Sequence, residues 1–356
     1  MGIFVSIVVL SVLIIFHEWG HFLAARFFKV KVEEFGLGMP IIWTKPLLKK
    51  KWGETEYTFY PMLLGGFVRM KGQDDFDLSK KSDEIDSYQS KKPWQKIIIL
   101  LAGPFANLLL AFILYLIIAF IGVDRLAPTI GQVSKDSPAF FAGIKKKDKI
   151  IKINGKKVVT WNKMGDMIEH SKGSLDVVIL RDNKEIELQL SPKIGDSKSI
   201  FGEDIKKRLI GIAPLGEFVT LHYYNLVDAI KYAWKETIWA TTLIVRSVQK
   251  LIQGVVPAKD MGGIVSIVQV TSQASAVGIT ALFALMALIS VNLGVLNLLP
   301  IPALDGGHIM FNLYELITRR APSEKVFYYM TVAGWIALLS LMAFTTYNDI
   351  LRISKG

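Results

Sequence analysis

Residues 3–21 read IFVSIVVLSVLIIFHEWGH. An uncharged apolar run, residues 3–16, leads without a break into His17-Glu18-Trp19-Gly20-His21. Continued to Ala25, the stretch suits a membrane-crossing helix, which takes about 20 apolar residues. On a helix, positions i and i+4 share a face, so His17 and His21 can both turn one imidazole nitrogen to a single metal ion. Glu18 lies beside them and can hold a water there. Ionisable groups at membrane depth are costly and by default mark function. The plainer alternative is a helix end whose polar residues sit among lipid headgroups. The N-terminus carries no positive region of the kind that opens a signal peptide, and cleavage at Ala24-Ala25 would remove HEWGH, so the first helix is expected to be retained.

Composition points the same way. Half of the 356 residues are hydrophobic (51%) and the mean hydropathy is positive. Four stretches are long and charge-poor enough to cross a bilayer: residues 2–25, 97–122, 277–299 and 326–347, the last three without Asp, Glu, Lys or Arg. The expected fold class is a polytopic α-helical membrane protein with about four transmembrane helices. A net charge of +11 could suggest nucleic acid, but in a membrane protein it fits the positive-inside bias, and no nucleic-acid partner is expected. With no cysteine, any metal must be held by His, Asp or Glu.

The loop over residues 26–96 carries 14 Lys and Arg, and the segment before the first helix carries none. That bias puts the loop in the cytoplasm, the N-terminus outside, and His17 and His21 toward the cytoplasmic end of their helix. Within the loop, TEYTFYPMLLGGFVRM (55–70), rich in β-branched and aromatic residues and broken at Gly65-Gly66, predicts a membrane-associated β-hairpin or bent strand. An exposed edge there could pair with an extended peptide. Residues 72–92 read as a charged connector. The second apolar segment holds Gly103-Pro104, which should kink it, and Asn107, which needs a partner in lipid and reads first as a structural helix–helix hydrogen bonder, with a catalytic role or a substrate contact as the alternative.

Residues 127–193 alternate as short strands do, in PTIGQV, DKIIKING, LDVVILR and KEIELQLSP, with short helices at SPAFFAGI and KMGDMIEHS. This order resembles a PDZ domain of the bacterial, protease-associated kind, which implies an inserted extracytoplasmic module that takes up a peptide ligand by strand addition. The copy here has KKKD where such domains carry a Pro-Gly-Asp turn. The alternative is a compact β-domain that only blocks access. Residues 194–276 read as a connector. It holds a polar, Lys-rich part to 216, an interfacial amphipathic helix over 222–253, and a small-residue turn over 260–276. The membrane domain thus falls in two parts, 1–125 and 277–356. His170 and His222 read as surface residues.

The third apolar segment runs to NLLPIPALDGGH, residues 297–308. Pro300 and Pro302 end the helix and Asp305 follows in a Gly-rich turn. By the even count of crossings this end faces the cytoplasm, as do Arg319, Arg320 and Lys325. Catalytic zinc commonly has three protein ligands plus water. Asp305 is one candidate for the third, and His308 the other.

HEWGH in a first apolar helix, LAGPFAN in the second, one PDZ-like module between spanning helices and NLLPIPALDGG closing the third together resemble the site-2 protease family, and most closely its bacterial RseP-type members. These are intramembrane zinc metalloproteases. The resemblance implies one Zn2+ per chain on His17, His21 and Asp305, favouring Asp305 over His308, with Glu18 as catalytic base. It also implies that Asn297 helps hold the substrate backbone and that the element around Gly65-Gly66 presents the substrate as an added strand. Expected partners are single-pass transmembrane proteins, such as anti-sigma factors, or signal-peptide remnants, within the lipid bilayer of the bacterial cytoplasmic (inner) membrane. Two readings from other classes compete. A zinc carrier would be expected to have repeats or several sites, and a scaffold with structural zinc would need four protein ligands.

Overall fold

The computed structural model describes residues 2–40, 45–62, 65–73 and 84–354. Helix α1 (Gly2–Phe27) leads to strands β1 (Val32–Leu37), β2 (Leu48–Trp52), β3 (Thr55–Phe59) and β4 (Gly66–Met70), and then to α2 (Pro93–Ile121). Next come β5 (Val123–Leu126), β6 (Ile130–Val133), α3 (Pro138–Phe141), β7 (Lys149–Ile153), β8 (Lys156–Lys157) and α4 (Trp161–Glu169). Strands β9 (Leu175–Arg181), β10 (Lys184–Leu190), β11 (Lys193–Lys198), β12 (Asp204–Leu209), β13 (Ile212–Pro214) and β14 (Phe218–Leu221) follow. The chain ends in α5 (Leu226–Ile252), α6 (Ile264–Val277), α7 (Ile279–Asn297), α8 (Asp305–Thr318) and α9 (Glu324–Ser354). Contacts divide it into one unit of residues up to 117, 230–249 and 257 onward, and another of 118–229 and 250–256.

In the first unit α1, α2, α7 and α9 are each long and apolar enough to cross a membrane. The pattern on α2 explains its place. Leu101, Phe105, Leu109, Ile113 and Ile117 recur every fourth residue and are exposed, whereas Leu100, Asn107, Leu110, Ala111 and Leu114 are buried. One stripe therefore suits lipid and the other packs on helices. Small residues set the close approaches. A Cβ on Gly20 would stand 2.2 Å from the Ala102 carbonyl, so α1 and α2 nearly touch there.

Residues 260–276, expected as a turn, instead form most of α6, which lies along the start of α1 and brings Ser272 against Gly2. The first backbone N–H groups of a helix have no partner within it. Here the buried Asp349 of α9 accepts from Gly263 N at 3.0 Å and Ser266 N at 2.9 Å, and the Ser266 hydroxyl donates to it at 2.5 Å.

The hairpin expected over 55–70 is corrected. Strands β3 and β4 do not pair with each other but flank β1 in a four-stranded sheet of order β2-β3-β1-β4. Strand β1 runs parallel to β3 and antiparallel to β4, and the one hairpin of this sheet is β2–β3. Leu63 and Leu64, inside the predicted stretch, lie outside the described residues, as do residues 74–83 of the predicted connector. Val32 and Met70 pack with Phe22, Ala25, Val30 and Ile99, which fixes the sheet on α1 and α2. The Glu34 carboxylate is buried in the sheet, accepts from Thr58 and Tyr60, and is paired with Arg69.

The second unit has its own core of Ile130, Ile150, Ile153, Met164, Leu175, Val177 and Ile179, all nearly inaccessible. Each such side chain contributes roughly 1.5–3 kcal/mol. Its sheet has the order β10-β9-β7-β8, and the four strands predicted over 128–192 coincide with β6, β7, β9 and β10. Ser137 caps α3 with Pro138 behind it, and Thr160 caps α4. In the KKKD turn the buried Asp148 accepts from Lys145 N and from Arg181 Nε and Nη2, each at 2.7 Å. The Arg181 guanidinium is stabilised in its charged form by those bonds. Residues expected as a connector supply the β11–β12 hairpin and β13, which pairs with β6.

Candidate metal centre

Three side chains from α1 and α8 meet at one point. The i, i+4 spacing puts His17 and His21 on one face, with their Nε2 atoms 3.2 Å apart. Asp305 Oδ2 lies 3.2 Å from His17 Nε2 and 3.4 Å from His21 Nε2. Oδ2 is buried and receives no hydrogen bond. Ligands of a tetrahedral zinc at about 2.0–2.1 Å stand about 3.3–3.4 Å from one another. The three separations match that spacing, so the donor set fits zinc with one position left open.

Asp305 is not in a free turn but opens α8, a helix the sequence pattern did not reveal. Two glycines make this packing possible. A Cβ on Gly306 would stand 2.2 Å from the Leu299 carbonyl, and one on Gly307 2.4 Å from the Ile301 carbonyl. The helix start is therefore folded tightly back on the end of α7. His308, the other candidate, is not drawn into the cluster; its ring packs on Phe327 at 5.7 Å.

The second nitrogen of each imidazole is engaged. His21 Nδ1 lies 2.8 Å from the Ile99 carbonyl of α2. His17 Nδ1 lies 3.2 Å from the Asn107 amide. Asn297, the last residue of α7, reaches within 3.4 Å of His17 Nε2.

Glu18 faces the sheet. A Cβ on Gly66 would stand 3.1 Å from Glu18 Cγ and 2.7 Å from Ile14 Cγ2, so β4 begins directly against the metal-site helix. Gly65 precedes it, and its carbonyl accepts from Gly38 N at 2.8 Å. That bond sets the parity of the antiparallel ladder. Phe67 and Arg69 bond to β1, and Gly66 and Val68 turn their N–H and C=O outward. Among the described strands β4 has no neighbour on that side. On the face toward α1, Phe35, Leu37, Leu48, Tyr57 and Phe59, with Ile15 of α1, line an open, mainly apolar groove of about 590 Å³. His170 and His222 belong to the second unit, where His170 Nδ1 lies 2.8 Å from the Asp166 carbonyl and His222 stacks on Tyr224.

Known proteins share this whole arrangement of sequence. The pattern of peptidase family M50 matches residues 5–341. A Campylobacter jejuni protein named as a zinc metalloprotease is 44% identical over 348 residues, covering 98% of this chain and 93% of the relative. Similarly named proteins of Clostridium acetobutylicum and Helicobacter pylori are each 35% identical, covering 98% of this chain and 97% and 99% of theirs. The chain belongs to peptidase family M50.

Proposed function

We propose that this membrane zinc metalloprotease hydrolyses peptide bonds inside transmembrane segments, with His17, His21 and Asp305 as zinc ligands and Glu18 as general base. The observation that carries the reading is the three-atom cluster at tetrahedral spacing, set in apolar helices and flanked by the open edge of β4. Bound zinc supplies Lewis acidity toward the scissile carbonyl and the attacking water. Glu18 takes the proton of that water and passes it to the leaving amine. The Asn297 amide, within 3.4 Å of His17 Nε2, would help hold the substrate backbone by donating to it.

A helix in lipid hides its carbonyls in its own hydrogen bonds and must unwind before attack. The outward N–H and C=O groups of Gly66 and Val68 would replace those bonds by strand addition next to Glu18. The apolar groove beside Ile15 suits the side chains of such a segment.

Substrates of this kind are single-pass proteins or signal-peptide remnants. The basic loop over 26–96 supports a bacterial cytoplasmic-membrane topology with the site toward the cytoplasm and both termini outside. The strand and helix order of the second unit supports a PDZ-like module outside the membrane, with a peptide as its ligand. The deciding experiment uses full-length Glu18→Gln. It should retain zinc and lose cleavage of a single-pass substrate by at least about 100-fold; cleavage at the wild-type rate would overturn the assignment.

A further inference from the structure

The two histidines of the cluster are oriented by different partners. His21 Nδ1 meets a backbone carbonyl, which can only accept, so that nitrogen carries the ring proton and Nε2 offers its lone pair to the cluster. His17 Nδ1 meets the Asn107 amide instead, with Nδ2 at 3.2 Å and Oδ1 buried without a partner. The two ends of a primary amide have the same shape, and the hydrogen bond decides which end faces a ring. If Nδ2 faces His17, Nδ1 must be bare and the ring proton sits on Nε2. That proton would point between His21 Nε2 and Asp305 Oδ2, each 3.2 Å away, and His17 could not ligate. If Oδ1 faces His17, the Nδ1 proton has its acceptor and Nε2 is free. One amide atom lacks a protein partner in either orientation, so the ring decides.

We propose that Asn107 is the positioning residue for His17. Its carboxamide oxygen accepts the Nδ1 proton, fixes the tautomer, and does for His17 what the Ile99 carbonyl does for His21. The inference rests on the zinc reading above. The surroundings suit the role. Asn107 is fully inaccessible, its backbone carbonyl accepts from the Ser290 hydroxyl of α7 at 2.7 Å, and its Cβ lies against Gly294 of the same helix. The amide is thus clamped between α2 and α7, and the interhelical partner expected for an Asn in lipid is a metal ligand. Such outer partners typically carry 10–100-fold in metal affinity.

The test compares full-length wild type, Asn107→Leu, the smaller Asn107→Ala and Asn107→Asp in detergent micelles. Each is stripped of metal and titrated with zinc against a chromophoric chelator, and thermal unfolding of the metal-free proteins reports packing separately. Leu and Ala should weaken zinc by about 10–100-fold, and Asp, which keeps an acceptor oxygen, should stay within about threefold of wild type. Wild-type affinity in Leu or Ala, or an Asp variant as weak as they are, overturns the role of the amide oxygen. If wild type itself takes up no zinc, the zinc reading fails, and this inference with it.

Discussion

Gly103 and the His21 imidazole are in contact with no room between them for a side chain: a Cβ on Gly103 would stand 2.2 Å from Nε2 and 2.6 Å from Cε1. The atom it would strike is one of the three that form the cluster. The missing side chain at Gly103 therefore lets the ring approach α2, while the Ile99 carbonyl of the same helix meets its other nitrogen.

Gly103→Ala should accordingly displace His21 without altering any ligand. A displacement near 1 Å costs on the order of 100-fold in rate, and zinc affinity should fall with it. Parallel measurement of proteolysis and zinc binding checks this. Full activity with tight zinc would mean that the contact can relax.

The outward groups of β4 can be removed one at a time. Proline is tolerated on an edge strand where its nitrogen faces away from the ladder. Val68→Pro should leave the β1–β4 pairing and zinc affinity intact and raise KM for a membrane substrate. Phe67→Pro, one residue away, removes a ladder bond and should destabilise the sheet. Equal behaviour of the two variants in cleavage and in thermal unfolding would refute the parity derived from Gly38 and Gly65.

Asp349 holds the start of α6 through two backbone N–H groups and one hydroxyl. Asp349→Ala should lose about 2 kcal/mol, the upper range for an N-cap. The loss should appear as a lower unfolding temperature and as faster hydrogen exchange over residues 263–268, with zinc affinity unchanged. Unaltered exchange there would show that α6 is held by its packing on α1 alone.

Much of this was legible in the chain itself. The four spans follow from apolar length, and the i, i+4 pair His17 and His21 follows from helical spacing. Crossing parity put Asp305 on their side of the bilayer, and the resemblance singled it out over His308. What stayed hidden depended on non-local pairing or on misleading punctuation. Strand β1 carries Glu33 and Glu34 and looks polar, because the partners of Glu34, Thr58 and Tyr60, arrive from more than 20 residues away. The Pro300, Pro302, Gly306 and Gly307 cluster reads as a turn, yet the glycines are there to let α8 begin against the end of α7. Helix α6 was missed because SIVQVTSQASA has no sustained apolar face. The Asn107–His17 pair could not be foreseen, since only the packed register of α1 on α2 brings those residues together.

The helix that carries His17 and His21 is also among the least enclosed. Only 17% of its apolar window is buried, and Trp19 and Leu23 stand exposed on its flank. The metal-site helix is thus itself part of the outer wall. A substrate arriving sideways meets it by diffusion in a plane, so encounter frequency follows the number of substrate molecules per lipid rather than per litre. For such an enzyme the bilayer is the solvent in which concentration is counted, and adding lipid dilutes the reaction even when the volume of water stays the same.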